Sequence, residues 1–247
     1  VERTDISGSV APLLGGLGDG NWKLRDEALI GVERAILEAN KAITPNVGDL
    51  LAALKPRLKD TNKNLVVKAL NLHGLLAVSL GPGTDQWAKH VAPAFMVCVS
   101  DNKPMVRSAV ASALDAWSAL ALDKMLPSAK AGLTSDSPHG RKETLEWITR
   151  CMTTTTTSPD VAGLVRPTID CMGYRTADVR TAAEAAVVAM ASRVGSAPIR
   201  AEAKGLKPAQ LNLVTPLLDK VDREAAADMT KAATQASGAA SSATATA

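Results

Sequence analysis

The chain has 247 residues, of which 46% are hydrophobic and only 2% aromatic, and its formal net charge is +3. This composition favours a folded chain over a disordered one and predicts an aliphatic core rich in alanine and leucine, two residues that favour helices. The charge is too small to indicate nucleic-acid binding. We also expect neither an apolar run of membrane-spanning length nor a membrane-binding amphipathic helix.

A short polar turn recurs along the chain, with a basic residue in or just after it and an aliphatic-rich helix behind it. The turns begin at residues 19, 60, 101, 135 and 174, so their spacings are 41, 41, 34 and 39 residues. The first three open with aspartate, whereas the last two are weaker copies. This period is typical of two-helix HEAT or armadillo-like units.

Apolar residues recur at helical spacing on both sides of each turn. In chain order the predicted helices cover residues 10–17 and 24–36, 50–58 and 65–80, 91–99 and 106–117, 122–133 and 144–152, 161–172 and 179–194, and a last atypical pair at 199–206 and 208–222. Helix-breaking segments at 43–48, 81–83 and 153–159 separate successive units. We therefore predict an all-α chain, an α-solenoid of about six HEAT-type hairpins over residues 8–224, followed by a low-complexity linker or tail over 225–247.

Residues suited to catalysis or metal binding are scattered. The three cysteines, Cys98, Cys151 and Cys171, have no paired spacing and are expected to be free thiols in a reducing compartment. The histidines show no metal-ligand or catalytic-triad spacing, and no phosphate-binding loop or nucleophile elbow is present. We expect no cofactor, no metal site and no enzymatic activity.

The turns within the repeats are expected to align along one edge of the solenoid, because each hairpin stacks on the next. With helices about 8–10 Å apart, five turns form a ridge about 40–50 Å long or more. An exposed aromatic residue beside cations is typical of an interface that meets an acidic partner. The candidate contact residues of this ridge are Trp22, Lys23, Lys63, Lys103, Arg141 and Arg175.

Structural alternatives exist for several of these residues. The arginines six residues after a turn start are Arg25, Arg107, Arg141 and Arg180, and an internal Asp–Arg ladder between turns would explain them. That role is favoured for three of them and evenly balanced for Arg141. Lys63 and Lys103 could be solvated surface residues, and Trp22 could tuck under the first helix. Trp117 and Trp147 lie on apolar stripes and are predicted to be buried.

Segment 17–25, which reads Leu-Gly-Asp-Gly-Asn-Trp-Lys-Leu-Arg, resembles the opening repeat of a TOG domain with its exposed tryptophan. Segments 43–50 and 54–58 are similar to the fourth TOG domain of the five-TOG microtubule polymerases. Shorter similarities follow at 60–63, 76–82, 116–117 and 146–147, so the resemblance runs from about residue 10 to 222.

The resemblance implies a flat paddle of six HEAT repeats that binds αβ-tubulin, and hence microtubules, through its intra-repeat turns. Trp22 would pack on β-tubulin, and basic residues of later turns would reach toward α-tubulin. It also implies a cytoplasmic, cytoskeletal location and an isolated domain that is monomeric. Gly140 and Tyr174 depart from the family's usual residues at the fourth and fifth turns.

A generic HEAT-repeat scaffold is the alternative function. Such a protein would bind its partner on the concave helical face rather than along the turns. Charge reversal at Lys63 and Lys103 would then leave partner binding intact.

Overall fold

The chain folds into a stack of helical hairpins, shown by a computed structural model that describes residues 2–243, with side chains from 2 to 231. The helices of the described residues are α1 (Ser7–Val10), α2 (Leu14–Leu17), α3 (Trp22–Glu38), α4 (Gly48–Leu54), α5 (Lys63–Leu80), α6 (Asp85–Cys98), α7 (Pro104–Met125), α8 (Ala129–Leu133), α9 (Pro138–Thr154), α10 (Ala162–Met172), α11 (Ala177–Val194), α12 (Ser196–Ala203) and α13 (Pro208–Ala243). One isolated bridge, between Thr4 and Ile43, is the only β pairing in residues 2–243. The all-α prediction is confirmed.

The helices form two layers. The second helix of each hairpin packs on the second helix of the next, in the order α3, α5, α7, α9, α11 and α13. The first helices form the other layer, from α1 and α2 through α4, α6, α8 and α10 to α12, with 3-10 turns completing several of their contacts. This arrangement is the predicted solenoid of six hairpins, and it places the turn inside each hairpin on a common edge.

The core between the layers is aliphatic, with three large aromatic residues inserted. Phe95, Trp117 and Trp147 are fully buried. The Trp117 indole donates a hydrogen bond of 2.9 Å to the His73 carbonyl, and the Trp147 indole donates one of 3.1 Å to the Ser118 hydroxyl. Both tryptophans predicted to lie in the core are therefore buried with satisfied N–H groups.

The expectation that no apolar run reaches membrane-spanning length was wrong by length and composition. Within Lys63–Cys98, an 18-residue window is apolar enough to span a membrane, and 56% of that window is buried inside the protein. The stretch is interrupted at Gly81, whose φ of +53° suits glycine and which opens a 3-10 turn. Its first half, α5, packs between α3 and α7. High hydropathy here belongs to a central core helix.

The fourth hairpin is shorter than the others and explains the spacing of 34 residues. Its predicted first helix, 122–133, is broken: α7 continues to Met125 across a kink at Ala121 (φ −146°, ψ 44°). A 3-10 turn at Leu126–Ser128 and the five-residue α8 complete it. The chain thus passes from one hairpin to the next with almost no separate loop.

The last helix, α13, begins at Pro208, where the missing N–H has no intrahelical partner in any case. Its buried residues end at Val221, and the side chains from Asp222 to Lys231 are exposed. The backbone stays helical to Ala243. The low-complexity tail predicted over 225–247 begins within this exposed stretch, and its residues 244–247 lie outside the described residues.

Candidate protein-binding ridge

The five turns inside the first five hairpins share one backbone geometry. The residue before each second helix is extended, with φ from −91° to −75° and ψ from 106° to 128°; these residues are Asn21, Asn62, Lys103, Ser137 and Thr176. In the first three turns the opening aspartate accepts a hydrogen bond of 2.7–2.9 Å from the N–H two residues later. Such local side-chain bonds are why aspartate recurs at these positions.

An arginine six residues after the turn start closes four of the five turns. Arg25 and Arg107 each donate a 2.8 Å bond to the first carbonyl of their turn, Arg141 donates one of 2.6 Å, and Arg180 one of 2.9 Å. The predicted ladder of arginines and acidic residues is therefore confirmed only in part. Arg25 pairs with Asp60 of the next turn and Arg107 with Glu143, whereas Arg141 and Arg180 have no acidic partner among the described residues. The acceptor that all four arginines share is the first main-chain carbonyl of their turn.

The first and second turns are joined by a buried ion pair. The Arg25 guanidinium donates two bonds to the Asp60 carboxylate, at 2.8 and 3.0 Å, and Arg57 adds a third at 2.6 Å. Burial alone would raise the pKa of Asp60, but the hydrogen bonds from Arg25 and the Asn62 N–H and the charges of both arginines outweigh it and lower that pKa. The carboxylate stays ionised and fixes the distance between the two turns.

Further contacts continue this linkage along the edge. Lys63 of the second turn forms a 2.7 Å ion pair with Asp101 of the third. Arg107 then reaches Glu143 at 3.2 Å, just past the fourth turn. The Tyr174 hydroxyl of the fifth turn lies 3.1 Å from the Asp136 carbonyl of the fourth and donates to it. The five turns are therefore contiguous and in chain order, as the ridge prediction requires.

Close packing at the fourth turn explains why residue 140 is a glycine. It is buried, and a Cβ there would lie 2.2 Å from the Ser100 hydroxyl and 3.1 Å from the Ser135 hydroxyl. Any side chain at this position would displace the Ser100 hydroxyl and crowd the Ser100 Cβ, which would lie 3.3 Å away. The departure from the usual residue is thus a way of bringing two turns closer together.

The predicted contact residues fall into two groups. Trp22 is 49% exposed, and Lys23, Lys103 and Arg175 are exposed as well. Lys23 and Lys103 have no ion-pair partner among the described residues. Half-exposure excludes the alternative in which Trp22 tucks under the first helix.

Lys63 and Arg141 have internal partners instead. The side chain of Lys63 is 37% exposed and shared with Asp101. Arg141 is partly buried and donates to the Ser135 carbonyl of its own turn and to the Leu133 carbonyl at the end of α8. Its guanidinium lies 4.6 Å from the Tyr174 ring centroid. Arg175 lies on the same ring at 5.8 Å. The positive charge fully available to a partner is therefore carried by Lys23, Lys103 and Arg175.

Two apolar residues on the ridge were missed from the sequence. Leu24 is 43% exposed and Met105 is 44% exposed, in the first and third turns respectively. Leu24 opens the apolar pattern of the helix predicted over 24–36, but Arg25 takes the inward direction because it pairs with Asp60. Met105 directly follows Lys103-Pro104 and precedes the buried Val106, a position that could have identified it.

The thiols offer little chemistry. Burial raises the pKa of Cys98 and of Cys151 to about 12, so both remain protonated and poorly nucleophilic. In the part of the chain that the structure describes, no group of three or more histidine, cysteine, aspartate or glutamate residues is placed to hold a metal ion.

No protein-family model matches the chain. Protein MOR1 of Arabidopsis thaliana is 35% identical over 224 residues, which are 89% of this chain and 11% of that protein. Centrosomal protein 224 of Dictyostelium discoideum is 31% identical over 225 residues, 88% of this chain and 11% of that protein. The chain thus spans about a tenth of the length of these curated relatives.

A solved structure has the same fold. It concerns tubulin recruitment and assembly by microtubule polymerases with tumor overexpressed gene (TOG) domain arrays, and it superposes with a TM-score of 0.73. The match covers 90% of this chain and 48% of the other, at 19% sequence identity. At that identity the likeness concerns the architecture of the stacked hairpins.

Proposed function

The chain belongs to the TOG-domain family represented by MOR1, and from that premise we propose that it binds αβ-tubulin through the ridge of its five intra-repeat turns. It would serve as one tubulin-binding module of a longer microtubule polymerase in the cytoplasm. Linked modules of this kind raise the effective tubulin concentration without any new contact. The role is binding rather than catalysis.

We also propose that this domain corresponds to the fourth in a five-TOG array. The proposal rests on the similarity of segments 43–50 and 54–58 to that domain. In the structure the first of these segments is the loop between α3 and α4 with the start of α4, at the edge opposite the ridge. The second ends α4 and lies in the 3-10 turn at Lys55–Lys59, just before the second turn. Neither segment contains a residue of the proposed contact set.

The half-exposed Trp22 at one end of an ordered row of turns is the observation that carries the main proposal. A large aromatic side chain has about 250 Å² of surface, so its exposed half is about 120 Å². Covering that area would contribute about 3 kcal/mol, or about a hundredfold in affinity. The neighbouring Leu24 and the distant Met105 extend the apolar contact along the ridge.

The basic residues of the ridge have two different roles in the proposed binding. Lys23, Lys103 and Arg175 are exposed and would steer an acidic surface, with an effect mainly on the association rate. Lys63 and Arg141 remain in the proposed contact set. They would also stabilise the turns, because each has partners within the ridge. Binding should therefore weaken as salt rises.

The test is tubulin co-sedimentation with Trp22→Glu, compared with Val78→Glu. Val78 is a matched control because it is 62% exposed but lies near the end of α5 that is remote from the turns. We expect the first variant to lose at least about a hundredfold in affinity and the second to bind like the unaltered protein. The reverse pattern would support a scaffold that binds on a helical face and would refute the ridge.

A further inference from the structure

A cavity lies between the first-layer helices α4 and α6, with α5 as its floor. Its volume is about 220 Å³, and its apolar walls include Leu51, Leu58 and Val91. The charged Lys55 stands at its edge. No residue of the proposed contact set lines it. Any function of this cavity is therefore independent of the ridge.

One wall of the cavity is an aromatic ring held in a fixed position. The Trp87 indole donates a 2.9 Å hydrogen bond to the Pro45 carbonyl. It packs so closely on Gly48 that a Cβ there would lie 2.9 Å from the ring. The His90 ring stands 5.7 Å from it at an angle of 55°. A wall that is ordered before binding adds affinity because little freedom remains to be lost.

The floor of the cavity holds a histidine without a partner. His73 is 1% exposed, and neither of its ring nitrogens has a hydrogen-bond partner within the described residues. Its ring lies edge-on to Phe95 at 5.2 Å and 6.4 Å from Trp117. Burial lowers the pKa of His73 to about 4, so near neutral pH the ring has one donor and one acceptor nitrogen.

This unpaired histidine is an unusual feature for a core. Buried polar groups are almost always hydrogen-bonded, and one that is not destabilises the fold. The nitrogens are covered in this structure, but His73 lines the cavity and χ2 of histidine is a broad torsion, so rotation of the ring is the movement that would present a nitrogen to a ligand. A ligand with a single polar atom would satisfy it.

We propose that this cavity binds a small aromatic group that bears one hydroxyl or N–H donor, with His73 as the acceptor. A site with mostly apolar walls and one buried polar group at its floor suits such a ligand better than several waters, which would find few partners there. A dry cavity of about 150 Å³ is enough for benzene, so this one admits phenol or indole. The group could be a free compound or the tyrosine or tryptophan side chain of a peptide.

The proposal is tested by titrating phenol, indole and benzene into the protein and following methyl signals of the lining leucines and valine by NMR. We expect saturable shifts, with phenol bound about fivefold more tightly than benzene because of one hydrogen bond. His73→Phe should remove that preference while benzene still binds. Equal affinities for phenol and benzene in the unaltered protein would overturn the role of His73.

Ala94 lines the cavity and provides the blocking variant. Ala94→Leu should abolish the shifts, whereas the same change at the exposed Ala119 of α7 should not. Shifts that persist in a folded Ala94→Leu variant, or no saturable shift with any of the three probes, would overturn the proposal. Binding of N-acetyl-tyrosinamide as well as phenol would assign the site to a peptide side chain, and binding of phenol alone would assign it to a free compound.

Discussion

The buried imidazole of His73 makes a specific prediction about stability and pH. The ordinary pKa of 6.5 applies in the unfolded chain, and burial lowers it to about 4 in the folded protein. Between those values the unfolded chain binds more protons than the folded one, so the free energy of unfolding rises with pH across this window. At about 1.4 kcal/mol for each pH unit, acidification from pH 7 to about pH 4 should destabilise the protein by about 3 kcal/mol through this residue.

The comparison that isolates this effect is His73→Phe. Ionisable groups elsewhere titrate in both proteins and cancel in the difference, which leaves the His73 contribution alone. Phenylalanine is slightly larger but removes an unpaired polar group, so the two proteins should differ by less than about 2 kcal/mol at pH 7.5. In urea unfolding measured from pH 4.0 to 7.5, the free energy of unfolding of the variant should rise relative to that of the unaltered protein as the pH falls. Parallel curves would refute the reasoning, because they would mean that His73 has the same pKa in the folded and the unfolded chain.

Three other substitutions test the ridge. Asp60→Asn should lower the free energy of unfolding by about 3 kcal/mol in urea titrations, because it leaves the partly buried Arg25 without its charge partner; a change below 1 kcal/mol would show that the pair is not structural. Met105→Asp should leave stability unchanged, since the residue is 44% exposed, yet weaken tubulin co-sedimentation about tenfold; unchanged binding would exclude it from the contact surface. Gly140→Leu should lower the free energy of unfolding by about 1–3 kcal/mol, because the new side chain overpacks against Ser100, and calorimetry should show a lower melting temperature. An unshifted transition would contradict the close packing of the two turns.

The sequence was enough to predict the hairpins and their common edge. The period of the turns and the apolar stripes specify the solenoid locally, because each hairpin contacts only its neighbours. The aspartate that opens a turn acts over two residues, so it too could be identified from the sequence. Trp22 was identified because a large apolar residue stood within a polar turn.

What escaped prediction depends on contacts between residues far apart in the chain. Asp101 neutralises Lys63 from 38 residues away, which no local pattern reveals. The pairing of Arg25 with Asp60, 35 residues apart, turns Arg25 inward and leaves Leu24 exposed. The burial of His73 likewise depends on Phe95 and Trp117 from two later helices. Such pairs decide which cations and apolar residues remain available to a partner.

The central claim is that tubulin meets the edge of the stack rather than either helical face. Hydrogen–deuterium exchange of the domain with and without αβ-tubulin tests this directly, since it needs no substitution. Amide exchange should slow on binding in the turns around residues 18–23, 60–64, 101–105, 134–141 and 173–177, with the outer faces of α4, α6 and α8 unchanged. Protection confined to those helical faces, with the five turns exchanging at their free rate, would contradict it.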